Sequence, residues 1–159
     1  MNIFDTYTHD LLHQLNLNEV PYIVVGGYAV NYHGYRRTTG DIDIWIKPSN
    51  ENSKTQLLIA LKNLGITEDK LQKLSEIDFT LPTVFVDGKE PYKIDFMTRI
   101  SGVNFEEAWD KKIIAELDGL KIPFIHLHHL ILSKISNNRT KDKLDVEELQ
   151  KIQELRKNL

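Results

Sequence analysis

The sequence predicts an α+β fold, a mixed β-sheet flanked by helices, on three observations. Short β-branched runs alternate with helical periodicity over the first half of the chain. Two pairs of apolar runs flank Asp-Gly turns in the middle, and the last third carries helical spacing.

Taken in order, Ile3 to Leu17 places apolar residues at Phe4, Tyr7, Leu11, Leu12 and Leu15, a helical period. Pro21 ends that pattern, and Tyr22 to Val25 reads as a short buried strand. Gly26-Gly27 breaks the strand, and Tyr28 to Tyr35 is expected to form a short helix. Asp41 to Lys47 alternates strictly, with Ile42, Ile44 and Ile46 on one face and Asp41, Asp43 and Trp45 on the other. Pro48 closes this strand. Ser49 or Asn50 is then expected to cap a helix from about Glu51 to Leu64, stopped by Gly65.

Thr83 to Val86 and Tyr92 to Thr98 flank Asp87-Gly88-Lys89-Glu90, and Ile113 to Leu117 and Leu120 to Ile125 flank Asp118-Gly119. Both read as hairpins, the second with the stronger turn signal. His126 to Asn137 and Lys141 to Leu159 read as helices. With 159 residues and no linker-like stretch, one domain over 1–159 is expected, its core at about 20–100 and its helical C-terminal segment at about 126–159.

Composition narrows the function classes. A net charge of -3 argues against indiscriminate nucleic-acid binding through bulk charge. The absence of cysteine removes disulfides, thiolate zinc sites and a cysteine nucleophile. Met1 to Asp10 carries no apolar run of the signal-peptide kind, and no stretch reaches the roughly 20 apolar residues of a membrane span. A cytoplasmic protein with no membrane partner is expected.

The chemistry is concentrated in three carboxylates. Asp41 and Asp43 lie two apart on a strand, so both project from one face, their Cβ atoms roughly 6.5–7 Å apart. Asp95, in Lys93-Ile94-Asp95-Phe96-Met97, holds the polar position of another apolar strand. If the two strands pair, three carboxylates converge, and oxygen ligands of this kind suit Mg²⁺ or Mn²⁺. Two such ions, one activating a hydroxyl and one neutralising a triphosphate, define two-metal phosphoryl transfer. Upstream, Gly26-Gly27 opens a helix where backbone N–H groups are placed to meet phosphate.

Val25-Gly26-Gly27-Tyr28-Ala29-Val30, then Arg37-Thr38-Thr39-Gly40-Asp41-Ile42-Asp43-Ile44, then Ile94-Asp95-Phe96 resembles the polymerase-β-like nucleotidyltransferase superfamily. The details look closest to its small bacterial branches, the AbiEii-type toxin and minimal nucleotidyltransferases. Lys134, Arg139, Lys141-Asp142 and Asp145 resemble a pattern that follows the catalytic core in those branches. Many members carry Gly-Ser where this chain has Gly26-Gly27.

The resemblance implies a polymerase-β-like fold and transfer of a nucleoside monophosphate from a triphosphate, ATP by superfamily habit, to a hydroxyl. It implies Asp41, Asp43 and Asp95 as catalytic and metal-holding residues for two Mg²⁺ ions, with Mn²⁺ an alternative. Gly26, Gly27, Arg37, Thr39 and Lys134 are the expected substrate-binding residues. The acceptor stays open between a protein, an RNA end such as tRNA, and a small molecule. Two other readings also stay open: a non-catalytic or partner-dependent member of a toxin–antitoxin pair, and an antibiotic-modifying enzyme. The short run after Asp95 favours a macromolecular acceptor or a subunit whose partner supplies the acceptor site.

Other residues carry weaker expectations. Asp78, in Ile77-Asp78-Phe79, rivals Asp95 as third acid. Asp142 and Asp145 read as a charged helix face, with Lys141 a candidate phosphate contact. His126, His128 and His129 read as a helix start, not a metal site. His33 reads as a pocket or surface-turn residue, and Trp45 and Trp109 as packing residues.

Overall fold

The structure, a computed structural model, describes residues 4–88, 93–137 and 139–158. Ile3 of the first expected helix, Lys89 and Glu90 of the first expected turn, Tyr92 of the strand after it and the terminal Leu159 lie outside them.

Helix α1 (Thr6–Leu17) starts where Asp5 accepts a hydrogen bond from the Thr8 amide. Strand β1 (Tyr22–Val25) is buried throughout and runs straight into α2 (Gly26–His33). Strand β2 (Ile42–Ile46) is followed by a wide π-type turn at Asn50–Lys54 that feeds α3 (Thr55–Asn63). The expected capping differs here. Ser49 makes no side-chain cap bond, and Asn50 turns away to bond the Phe79 amide and Asp78. Helix α4 (Glu68–Ser75) has no counterpart in the sequence reading, although Thr67 caps it and Glu68 and Asp69 favour its positive N-terminal end.

Strands β3 (Val84–Asp87) and β4 (Ile94–Met97) form the first hairpin. Helix α5 (Phe105–Lys111), also unforeseen, is capped by Asn104. Strands β5 (Ile113–Leu117) and β6 (Leu120–Phe124) form the second hairpin, with Asp118 and Gly119 both at positive φ as its tight turn requires. Helices α6 (Leu127–Asn137) and α7 (Thr140–Lys157) pack on one another and on α2.

The six strands form one sheet in the order β3-β4-β2-β1-β6-β5. Its central pairs alternate in sense: β2 runs antiparallel to β1 and parallel to β4, while β1 runs parallel to β6. The sheet is therefore mixed, as expected. Both faces of β2 are covered near its end, so Trp45 leaves the polar series begun by Asp41 and Asp43 and is buried edge-on against Phe105 of α5. Among the described residues no helix is long and apolar enough to cross a membrane.

Candidate active site

The parallel pairing of β2 with β4 sets Asp43 directly opposite Asp95, and the antiparallel pairing with β1 sets Val25 opposite Asp43. Gly26 follows Val25, so the strand-to-helix turn lies against the same carboxylate. A Cβ on Gly26 would come within 2.8 Å of Asp43 Cγ, and its φ of +66° also favours glycine. A Cβ on Gly27 would come within 2.9 Å of Thr39 Cβ and 3.6 Å of an Arg37 guanidinium nitrogen. The two glycines thus hold the start of α2 against Asp43, Thr39 and Arg37.

These residues share a cleft of about 480 Å³. Gly26, Gly27, Arg37, Thr39, Asp41, Asp43, Asp95 and Lys134 all line it, so every residue singled out from the sequence as catalytic or substrate-binding lies around one space. Asp78 does not. It sits fully exposed in a turn, bonded to Asn50 and Thr80, and those bonds hold its carboxyl below the usual range.

Electrostatics divide the cleft in two. On the sheet side, burial pushes the Asp43 carboxyl up to about 6; the charge of Asp95 and a hydrogen bond with it add to this, and Lys134 opposes it. Lys93 Nζ lies 3.3 Å from Asp41 Oδ2 and 3.8 Å from Asp95 Oδ1. Asp41 Oδ1 is buried with no hydrogen-bond partner. On the helical side, Asp145 takes two parallel hydrogen bonds from Arg37, at 2.9 and 3.0 Å, and an ion pair from Lys134 at 3.0 Å. Asp142 receives Lys134 at 3.2 Å and Arg139 at 2.6 Å. Burial pushes the Asp142 carboxyl up, but the Arg139 and Lys134 bonds outweigh it and hold it below the usual range.

Asp142 and Asp145 are 0% and 1% exposed, which corrects their reading as a solvated helix face. A pattern of charges cannot show burial when the cations that neutralise it come from elsewhere in the chain, and Arg37 lies 108 residues from Asp145. His33 is likewise neither in the cleft nor in a surface turn. It is buried against the Ile125 carbonyl at 2.7 Å and touched by Arg156 of α7. Among the histidines at the α6 start, His126 Nδ1 accepts the His128 amide, a capping role. The cleft also gathers Met97, Arg99, Ile100, Ser101 and Asn137, none of which the sequence reading took as a site residue, together with Arg139 and Lys141. Arg99 stands four residues beyond Asp95 in a loop, where no periodicity marks it.

Residues 3–158 match the family described as "Nucleotidyltransferase of unknown function (DUF6036)". The chain belongs to that family. It is therefore a nucleotidyltransferase, and an enzyme. Two solved structures share the fold of this nucleotidyltransferase. The lincosamide antibiotic adenylyltransferase LnuA, in its lincomycin-bound form, is 18% identical with a TM-score of 0.53, over 96% of this chain and 99% of its own. ANT(2'')-Ia in complex with adenylyl-2''-tobramycin is 14% identical with a TM-score of 0.57, over 96% and 94%. No curated protein matches this nucleotidyltransferase by sequence.

Proposed function

We propose that this nucleotidyltransferase moves a nucleoside monophosphate from a nucleoside triphosphate, ATP first among them, onto an acceptor hydroxyl, the hydroxyl attacking the α-phosphate and pyrophosphate leaving, with Asp41, Asp43 and Asp95 as its catalytic and ion-holding residues. The observation that carries the reading is the register of β2 on β4, which brings Asp43 opposite Asp95 with Gly26 against the same carboxylate.

The residues fit hard divalent cations. The donor set is all carboxylate oxygen, and one of those oxygens, Asp41 Oδ1, is buried without a partner. As they stand, the described residues hold no ready group of three or more ligating side chains, and Lys93 bridges two of the acids. Asp41, Asp43 and Asp95 would hold Mg²⁺, or Mn²⁺, and two ions there would lower the barrier to hydroxyl attack and neutralise triphosphate charge.

The chain's own groups do the rest. Backbone N–H groups at Gly26 and Gly27 open α2 toward the phosphates, with no side chain to hold the ligand off. Arg37 and Lys134 present positive charge to the triphosphate, and Asp145 fixes the position of both. Thr39 packs on Gly27 and presents its hydroxyl to the same space. A carboxylate oxygen of Asp95 takes the proton from the attacking hydroxyl.

The acceptor reading rests on charge. Beyond the three acids, the lining of the cleft carries Arg99, Arg139 and Lys141 and, among the described residues, no further carboxylate. That favours an acceptor without positive charge, an RNA end or a phosphorylated small molecule, over a polycation such as the tobramycin moiety seen with ANT(2'')-Ia. Chain length does not decide the matter: this chain spans 99% of LnuA, whose structure holds a small antibiotic. The expectation that a short chain favours a macromolecule therefore loses its basis. No observation favours the non-catalytic toxin–antitoxin reading.

The test is calorimetric titration of ATP, GTP, CTP and UTP with Mg²⁺ into the wild type and an Asp41→Ala/Asp43→Ala variant. Mg²⁺-dependent binding of a nucleotide, lost in the variant, is the expected result. A wild type that binds no nucleotide with either Mg²⁺ or Mn²⁺ overturns the reading.

A further inference from the structure

Three carboxylates on one sheet face need positive charge even before a nucleotide arrives, and the strand register supplies one from within the chain. Lys93 precedes Asp95 by two residues, so both side chains leave on the same face. The pairs Ile42–Ile94 and Asp43–Asp95, continued one step toward the strand starts, set Lys93 against Asp41. The contact of the Lys93 ammonium with both Asp41 and Asp95 follows from that register, not from a chance surface encounter. Its side chain is 30% exposed on a flexible four-carbon stem, so it has room to swing away.

We propose that Lys93 is the resident counter-cation of the metal-free acids and competes with divalent ions for Asp41 and Asp95 until a triphosphate draws it off. This rests on the reading of the three acids as ion ligands. An ammonium and a divalent ion repel one another across shared carboxylates. A free ion therefore binds the nucleotide-free enzyme weakly. An ion that arrives on a triphosphate brings phosphate oxygens that give Lys93 a new partner. Lys93 in this way sets the order of loading, favouring the ion–nucleotide complex over the bare ion.

The experiment is titration of Mn²⁺ into nucleotide-free wild type, Lys93→Gln and Lys93→Arg, with free Mn²⁺ followed by electron paramagnetic resonance. Lys93→Gln is expected to bind Mn²⁺ about tenfold more tightly, the size set by removing one unit charge 3–4 Å away in a water-exposed site. Lys93→Arg, which keeps the charge, should match the wild type. Lys93→Met replaces the glutamine variant if that protein is unstable. Equal affinity in wild type and Lys93→Gln overturns the proposal while leaving the ion site standing. No binding in either one overturns the ion site and the proposal together.

Discussion

Two groups of acids meet at this cleft and are treated in opposite ways. Of the sheet acids, Asp41 and Asp95 share Lys93, Asp43 feels Lys134 only through its charge, and one oxygen of Asp41 is buried without a partner. Asp142 and Asp145 on α7 are more deeply buried, yet Arg37, Lys134 and Arg139 surround them. The helical acids are structural: their charge is spent holding cations in place at the edge of the cleft. The sheet acids keep negative charge in reserve. Burial alone does not mark a reactive carboxylate; the balance of partners around it does.

The largest effect expected from this contrast lies on the helical side. Asp145→Ala leaves Arg37 and Lys134 without their shared partner in a nearly dry setting. Breaking a buried pair from one side costs about 3–5 kcal/mol, and urea unfolding should show a loss of that order. Nucleotide affinity should fall as well, because Arg37 and Lys134 are no longer fixed. A loss below 1 kcal/mol would mean that the network is solvated and that the contrast is false.

On the sheet side the same kind of change should stabilise. The Asp43 carboxyl is raised from 3.8 to about 6, so between those values the folded state binds more protons than the unfolded chain. The contribution of Asp43 to the stability of the metal-free protein therefore falls as pH rises from about 4 to about 6 and stays low above that. The full shift corresponds to at most about 3 kcal/mol. Asp43→Asn in EDTA should recover most of this at pH 7, recover nothing near pH 4, and abolish transfer. Asp142 titrates in the opposite sense: its lowered carboxyl adds stability that is present above the ordinary carboxylate range and is lost as pH falls through its folded value. Scanning calorimetry of wild type and Asp43→Asn across pH 4–8 checks the sign. A midpoint that rises with pH in the wild type from 4 to 6 and equally in Asp43→Asn would remove Asp43 as the cause.

The same division explains what could be read from the sequence. Tyr22–Val25, the Asp41–Ile46 alternation and the Asp118-Gly119 turn are local patterns, and the structure places a strand, a strand and a tight hairpin there. The proposed ligands were legible because strand periodicity puts Asp41 and Asp43 on one face before any tertiary contact is known. Helices α4 and α5 went unread although Thr67 and Asn104 cap them, because each is only two turns long with few apolar positions to show a period. The burial of Asp142 and Asp145 was not legible at all. For Asp145 it depends on Arg37, brought across the molecule by α2 and the loop after it, and a charge that will be neutralised from afar looks the same as one facing water.

The smallest expected effect tests where the structural network ends. Arg139 bonds Asp142, but its side chain is 66% exposed and Lys134 remains on Asp142 without it. Exposed pairs of this kind contribute about 0–1 kcal/mol, so Arg139→Ala should shift the urea midpoint little. Because Arg139 lines the cleft, its loss should instead raise KM for the nucleotide or the acceptor by several-fold, with kcat less affected, the pattern of a contact made equally in ground and transition states. If Arg139→Ala destabilises as much as Asp145→Ala, Arg139 belongs to the buried network and the boundary drawn between structural and ligand-facing cations is in the wrong place. If KM is unchanged, the guanidinium faces solvent during turnover, and the positive charge proposed to select the acceptor narrows to Arg99 and Lys141.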